Sequence, residues 1–146
     1  MTEATVHTLA IDATPEAVFA VAADVASYPE WASGVKEVEV LESDDRGRPS
    51  RARFVIEGLI KELRYQLTYT YDEPTNISWV AEPNNDLKYL EGSYTFTATD
   101  DEATEVVYAL HVEPNFMLPG FLRRQAERQI VTTALRGLRK RVGDLG

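Results

Sequence analysis

The sequence predicts an α+β fold in which a bent, seven-stranded antiparallel sheet wraps around one long C-terminal helix, with two short helices between strands 1 and 2. Two observations support this prediction. Between Val35 and Pro114, apolar and polar residues alternate, and clusters of turn residues interrupt the alternation. Helical patterns are confined to the regions before and after this stretch. Strands and helices that are segregated in this way are typical of α+β proteins, not of parallel βαβ folds.

The first strand is predicted over residues 5–12. His7, Leu9 and Ile11 share one face of this segment, and polar residues such as Thr8 lie on the other. This alternation is the pattern of a half-buried strand.

Two short helices are predicted next. Thr14 suits an N-cap and Pro15 suits the first helical position, so a helix is expected from Pro15 to about Ala23. Residues 27–31 resemble the start of a second helix, which we expect to end at Gly34.

Six further strands are predicted, each with one apolar face that a single helix can cover. Their apolar sets are Val38 and Val40; Ala52, Phe54 and Ile56; Leu63, Tyr65, Leu67, Tyr69 and Tyr71; Ile77, Trp79 and Ala81; Leu90, Gly92, Tyr94 and Phe96; and Val106, Tyr108, Leu110 and Val112. Gly58 marks a turn between two of these strands, and Pro114 ends the last one.

A long helix is predicted from Pro119 to about Val142, and its apolar residues fall on two different sides. One side carries Leu118, Phe121, Leu122, Gln125 and Gln129. The nearly opposite side carries Val131, Ala134, Leu135, Leu138 and Val142. We therefore expect the helix either to bend near residues 129–133 or to cover with its first half something that its second half does not.

The amino-acid composition excludes several classes of function. The 146 residues, 44% of them hydrophobic, fit one domain over residues 1–146. The chain has no cysteine, which excludes a disulfide or a thiolate nucleophile, and its two histidines lie far apart, so no metal or other cofactor is expected. The longest apolar run, residues 17–23, is too short to span a membrane, and no targeting signal is recognisable. We expect a protein of the cytoplasm.

Charge is unevenly distributed. The net charge of −9 disfavours nucleic acid, so no specific nucleic-acid partner is expected. However, residues 119–146 hold seven of the 15 Lys and Arg but only two of the 24 Asp and Glu. Two explanations remain open. This segment is either a solvated helix face against an acidic sheet domain or a docking surface that makes weak contact with a membrane or a protein.

Several segments carry a resemblance to a known family. They are ATPEAVF (13–19), YPEW (28–31), VKEV (35–38), Gly58, LEGSY (90–94) and the closing helix. In this order and spacing they resemble the START-like helix-grip superfamily, in particular its polyketide cyclase/dehydrase branch, which includes coenzyme Q-binding proteins. The resemblance spans nearly the whole chain. It implies a deep, mostly apolar cavity between sheet and helix, which relatives use for lipids, quinones, polyketides or hormones, but it does not imply a reaction.

The residues themselves also indicate a cavity. Tyrosines share the inward faces of the predicted strands, and buried phenols need hydrogen-bond partners that a partly wet pocket supplies more easily than a dry core. Alternatively, their hydroxyls lie at the rim of the sheet. The candidate ligand-binding residues are His7, Trp31, Phe54, Tyr65, Tyr69, Trp79, Tyr94, Tyr108, Phe121, Gln125 and Gln129.

The other candidates have specific expected roles. Trp31, Phe54 and Trp79 offer flat walls for a ring system, although core packing explains them as well. The amides of Gln125 and Gln129 can fix a ligand carbonyl or hydroxyl if they face the cavity rather than solvent.

The two histidines are expected to differ. His7 is either a satisfied core residue or a proton donor or base toward a phenolic or quinone oxygen. His111, on the opposite parity from Leu110 and Val112, is expected at the surface.

An entrance to the cavity is expected between the first half of the long helix and the loop at residues 84–87. Met117, Leu118, Phe121 and Leu122 form an apolar cluster there, beside a backbone turn at residues 119–120. Such a segment can act as a gate.

Three function hypotheses follow. No phosphate loop, nucleophile elbow or helical HExxH motif is present, so no catalytic residue is assigned. The leading hypothesis is a binding or carrier protein for a hydrophobic, ring-bearing small molecule. The alternatives are an aromatase/cyclase-like enzyme, in which His7 or a tyrosine hydroxyl moves protons, and a docking protein that uses the basic C-terminal helix.

Overall fold

The computed structural model describes residues 4–57 and 61–145. In chain order the elements are β1 (Thr5–Ile11), α1 (Pro15–Ala23), a short 3-10 helix (Val25–Ser27), α2 (Tyr28–Trp31), β2 (Val35–Ser43), β3 (Pro49–Glu57), β4 (Glu62–Asp72), β5 (Asn76–Ala81), β6 (Leu87–Ala98), β7 (Thr104–Pro114) and α3 (Gly120–Leu145). The strands form one antiparallel sheet in the order β1-β7-β6-β5-β4-β3-β2. The predicted fold class is confirmed. The turn predicted at Gly58 lies outside the described residues.

The predicted start of α1 is confirmed by its capping contact. The Thr14 hydroxyl accepts a hydrogen bond from the backbone N–H of Ala17 at 3.3 Å, and Pro15 occupies the first turn. The helix buries Val18 and Phe19 against the sheet. After α2, Gly34 has a positive φ of 89°, a conformation that favours glycine, and the chain there turns into β2.

The register of the sheet places the predicted inward residues on one face. Tyr69 lies opposite Trp79, and Trp79 lies opposite Gly92 on the next strand. Tyr94 and His7 both lie opposite Tyr108, from the two strands that flank β7. Directly opposed residues of antiparallel strands point to the same side, so aromatic side chains from β4 to β7 form a continuous inner surface.

Helix α3 covers this inner surface with a single apolar stripe. Val131, Leu135, Leu138 and Val142 are buried, and the helix packs against β1, β7 and α1. The second apolar side that the sequence predicted for the first half of the helix is not buried, because Phe121, Gln125 and Gln129 are exposed. The same stripe continues toward the N-terminus of α3 through Glu127, a polar residue that hydropathy alone assigns to the surface.

The opposite side of the first half of α3 is exposed. The structure places Gln125 and Gln129 at the surface and leaves Phe121 63% exposed, so the expectation that these residues face the interior was wrong. The physical reason is the position of Glu127: its carboxylate contacts β1 and β7, which orients this half of the helix.

The charged residues of α3 pair locally. Arg123 contacts Glu127 at 2.9 Å and Lys140 contacts Asp144 at 3.0 Å, both within the helix, while Arg141 contacts Glu30 of α2 at 3.3 Å. Arg124, Arg128, Arg136 and Arg139 are exposed. In the part of the chain that the structure describes, no helix is long and apolar enough to cross a membrane.

Candidate functional site: an aromatic pocket

Six aromatic side chains on the inner face of β3 to β7 form a cluster that we call the aromatic pocket. Each is 3–9% exposed. The members are Phe54, Tyr65, Tyr69, Trp79, Tyr94 and Tyr108. Neighbouring rings touch: Phe54 stacks on Tyr65 at 5.6 Å between centroids, and Tyr94 meets Tyr108 edge-on at 4.7 Å. These distances are typical of favourable aromatic pairs.

Trp79 lies at the centre of the pocket, and the residue opposite it on β6 is Gly92, which leaves room for the indole. A Cβ added to Gly92 would overlap the Nε1, Cε2 and Cζ2 atoms of the indole. Only glycine therefore lets the ring lie against the backbone of β6 in this way. The indole also contacts the rings of Tyr94 and Tyr108, at 5.3 and 5.5 Å.

The tyrosine hydroxyls divide into two groups. Three of the chain's seven tyrosines hydrogen-bond to described residues: Tyr28 donates to the carbonyl of Ala22, Tyr71 to the carbonyl of Pro49 at 2.5 Å, and Tyr89 to Glu91. Tyr71, which is half-buried, thus matches the alternative interpretation of a hydroxyl at the rim of the sheet.

The other four hydroxyls, those of Tyr65, Tyr69, Tyr94 and Tyr108, hydrogen-bond to no described residue. These four residues are only 4–9% exposed. The aromatic pocket combines flat apolar walls with polar atoms that no described residue satisfies, as ligand sites do.

The hydroxyls are close enough to influence one another. Burial raises the pKa of Tyr69 well above its usual value, and the neighbouring phenols of Tyr28, Tyr65 and Tyr108 raise it further. Burial likewise raises the pKa of Tyr94, with a smaller contribution from the phenol of Tyr28. The phenols are therefore neutral at ordinary pH and act as hydrogen-bond donors and acceptors, not as bases.

Few ionisable groups reach the inner face of the sheet. His7 is half-buried and lies opposite Tyr108. Glu127 is 1% exposed, and its carboxylate accepts from Thr5 Oγ1 at 2.8 Å, from the Val112 N–H at 2.7 Å and from Arg123 at 2.9 Å. We did not expect Glu127 from the sequence, although it falls on the same helical side as Val131.

No set of described residues has the composition and spacing of a metal site. Groups of three or more His, Asp or Glu side chains that could hold an ion are absent from residues 4–57 and 61–145. The aromatic pocket itself offers phenols and an indole, which are poor ligands for the metals common in proteins.

Comparison with known families decides the classification. The model of the family described as polyketide cyclase / dehydrase and lipid transport matches residues 11–139. The chain belongs to this family. Membership supports a hydrophobic ligand-binding or cyclase-like role. No protein among those with curated descriptions matches the sequence.

Solved structures show that this family member has the START-like helix-grip fold. A START superfamily protein from Mycobacterium smegmatis superposes with a TM-score of 0.90 at 20% identity, covering 99% of this chain and 100% of that one. A protein from Thermus thermophilus gives 0.81 at 24% identity, with 98% and 99% covered. The aromatase/cyclase Zhui from a Streptomyces species gives 0.82 at 15% identity, with 96% and 93% covered. The predicted resemblance is confirmed at the level of superfamily and branch.

The remaining predicted site residues of this family member lie outside the aromatic pocket, either beside it or at the protein surface. Trp31 is half-buried at the junction of α2 and α3, where it packs edge-on against Tyr28 at 5.2 Å and close to Gly137. Tyr28 in turn approaches Phe54, which links Trp31 to the pocket indirectly. Gln125 and Gln129 contribute nothing to the pocket, since both are exposed.

The second histidine lies on the outer face of the sheet, as predicted, but it is less exposed than expected. The side chain of His111 is 14% exposed: the ring of Tyr89 lies 5.4 Å away, and His111 Nδ1 lies 3.8 Å from a carboxylate oxygen of Glu127. It borders an open groove of about 660 Å³ on the outer face, whose floor includes Ser78, Ser93 and Ala109. This groove contains none of the six pocket residues.

Two apolar residues of the predicted entrance segment are exposed. Met117 is 95% exposed and Phe121 is 63% exposed. The loop beside them is tied to the segment after β7, because the N–H of Asn115 donates to the carbonyl of Asp86 at 3.0 Å. That this region opens to admit a ligand stays a prediction.

Proposed function

We propose that this protein binds and carries a hydrophobic, ring-bearing small molecule, a lipid, quinone or polyketide, in the aromatic pocket. The observation that carries the proposal is the set of four buried tyrosines whose hydroxyls have no partner among the described residues. A buried polar group without a partner costs stability, and a ligand that supplies the partner removes this cost.

The shape of the pocket favours a ring system over a flexible chain. Trp79 presents a flat indole held against β6, and the rings of Tyr94 and Tyr108 lie about it at centroid distances of 5.3 and 5.5 Å. Flat aromatic walls stack well against another ring, and their hydroxyls fix its orientation.

A carrier role fits the chemistry of the pocket better than a catalytic one. A general base needs a pKa near the working pH and a neighbouring group that orients it. The pocket tyrosines have strongly raised pKa values. The buried carboxylate of Glu127 is already held by three donors. The inner face therefore favours binding over proton transfer.

Tryptophan fluorescence tests this proposal, because the chain has only two tryptophans, one in the pocket and one outside it. In a Trp31→Phe variant, Trp79 is the sole reporter, and we expect 2-methyl-1,4-naphthoquinone to quench it saturably. The matched Trp79→Phe variant reports from Trp31 and should show weaker quenching.

A thermal-shift measurement complements the fluorescence. Ligand at 100 times its Kd should raise the free energy of unfolding by about 2.7 kcal/mol. If no lipid, quinone or polyketide-like ring compound quenches Trp79 saturably or raises the Tm, the proposed function is wrong.

A cyclase-like enzyme is the second candidate, because His7 lies directly opposite Tyr108 on the inner face. The structural similarity to the aromatase/cyclase Zhui also favours it. If His7 moves a proton, His7→Ala should abolish ring closure of a linear polyketide while the variant still binds it. The carrier proposal instead expects wild type and His7→Ala to bind alike and to leave the compound unchanged.

A contact between the basic C-terminal helix and a membrane surface or a protein is a third proposal, supported by the exposed arginines of α3. Sedimentation with vesicles of anionic phospholipid at low and at physiological salt tests the membrane contact. Binding that falls steeply with salt supports it, and no binding at low salt ends it.

A further inference from the structure

The aromatic pocket offers hydrogen-bond donors in unusual number for so apolar a site. Besides the four hydroxyls of Tyr65, Tyr69, Tyr94 and Tyr108, the indole N–H of Trp79, a residue that is 7% exposed, hydrogen-bonds to no described residue. An indole nitrogen can only donate, and each phenol has one proton to donate. The walls can therefore satisfy several acceptor atoms of a ligand at once.

Positive charge, by contrast, is missing from the pocket. Among the described residues, the fully buried polar or charged side chains are Thr104 and Glu127, neither of which is a cation. The two least exposed arginines, Arg123 and Arg48, are already paired. Arg123 contacts Glu127 at 2.9 Å, and Arg48, which lies over the ring of Tyr71, contacts Asp44 at 2.9 Å and Glu73 at 3.0 Å.

An anionic ligand would meet this pocket at a disadvantage. Burial of a carboxylate costs much more in desolvation than a neutral hydrogen bond returns. Without a cation, a few phenol hydrogen bonds do not offset that cost. The raised pKa values of the pocket phenols have the same origin, since burial there disfavours a negative charge on the phenols themselves.

We infer that the pocket selects an uncharged ring compound that carries oxygen acceptors, such as a quinone or a ring ketone, and discriminates against a carboxylate of the same size. This inference rests on the proposed function and narrows it, because fatty acids and aromatic acids are then poor ligands. In the inferred complex, the ring of the ligand stacks on the aromatic side chains of the pocket. The oxygens at the edge of that ring accept hydrogen bonds from the tyrosine hydroxyls.

Three probes of similar size separate the contributions. They are 2-methyl-1,4-naphthoquinone, which is neutral with two acceptors; 2-methylnaphthalene, which is neutral with none; and 2-naphthoate, which is an anion. Because the chain contains no cysteine, the quinone cannot form a thiol adduct with it. Isothermal titration should show the quinone binding about ten-fold or more tightly than either of the other two.

Matched tyrosine variants show whether the hydroxyls cause this preference. Tyr94→Phe and Tyr108→Phe should each weaken quinone binding about five-fold and leave 2-methylnaphthalene unchanged, because only a hydroxyl is removed. Tyr71→Phe is the control, since its hydroxyl is bonded to Pro49, and it should change neither affinity.

The outcomes distinguish the inference from the proposed function. Naphthoate that binds as tightly as the quinone, or variants that weaken quinone and methylnaphthalene equally, would overturn the inference while leaving a ring-binding pocket in place. Binding by none of the three probes would overturn both.

Discussion

Glu127, which contacts the C-terminal end of β7, and the phenols of the aromatic pocket are both buried, but they differ in how their polar atoms are satisfied. The carboxylate of Glu127 accepts hydrogen bonds from a side chain, a backbone N–H and a guanidinium of described residues. The hydroxyls of Tyr65, Tyr69, Tyr94 and Tyr108 have no partner among those residues. Buried polar groups are nearly always paired, so the first arrangement is typical of a structural role and the second of a site prepared for a ligand.

The largest loss of stability is expected at Glu127, whose carboxylate is hydrogen-bonded to described residues. Glu127→Ala leaves Arg123, which is 13% exposed, and the N–H of Val112 without their acceptor. Breaking a buried pair in this way costs about 3 to 5 kcal/mol of the free energy of unfolding, which urea titration measures. Ligand affinity of the folded fraction should be unchanged. An affinity loss as large as that of a pocket variant would show that Glu127 belongs to the site.

A smaller effect is expected at Gly92, which supports the position of Trp79. A methyl group in Gly92→Ala overlaps the indole, so Trp79 must move into the pocket. Overpacking of this kind costs about 1 to 3 kcal/mol and should weaken ring binding and shift Trp79 emission in a Trp31→Phe background. Gly47→Ala controls for the general effect of losing a glycine, although its positive φ of 79° adds strain of its own. Unaltered emission and affinity in Gly92→Ala would contradict the assigned position of the indole.

The tyrosines themselves provide a closer comparison. Tyr71→Phe removes a hydroxyl that is bonded to Pro49 and should cost about 1 kcal/mol. Tyr94→Phe removes a hydroxyl without a described partner and should leave the stability of the ligand-free protein equal or slightly higher. Equal losses in the two variants, measured by urea titration, would mean that the Tyr94 hydroxyl is satisfied within the protein.

The pH dependence of stability provides a further test of the same tyrosines. Their pKa values are raised in the folded state, so above the unfolded value of about 10 the folded chain holds more protons than the unfolded chain. Stability should therefore be unaffected by these groups below about pH 10 and fall as the pH rises beyond it. Tyr94→Phe should make this alkaline decline shallower. An unchanged slope would contradict burial of the phenol.

The sequence was sufficient to predict the sheet and the inner surface, and the reason is the strict alternation of strands. Once Leu67 is placed inward, Tyr65 and Tyr69 must follow, and the structure confirms it. In α3, by contrast, the apolar pattern predicts that Phe121 is buried, whereas the structure buries Glu127 and exposes Phe121. Hydropathy ranks a carboxylate as exposed, and only the tertiary contacts to Thr5 and Val112 show why this one is buried.

The composition of the pocket was predictable in part. Trp79 and the tyrosines were identified by their inward parity, but the division between partnered and unpartnered hydroxyls was not. Tyr71 and Tyr69 occupy equivalent positions on β4, and only the approach of Pro49 satisfies one of them. Contacts of this kind depend on distances between elements that are remote in sequence.

A crystal structure of the complex with 2-methyl-1,4-naphthoquinone tests the central claim most directly. The account predicts the quinone ring between the walls of the aromatic pocket, with its oxygens about 2.5 to 3.0 Å from hydroxyls of the four unpartnered tyrosines. A quinone bound instead in the outer groove beside His111, or a pocket whose hydroxyls are bonded to the protein itself, would contradict it.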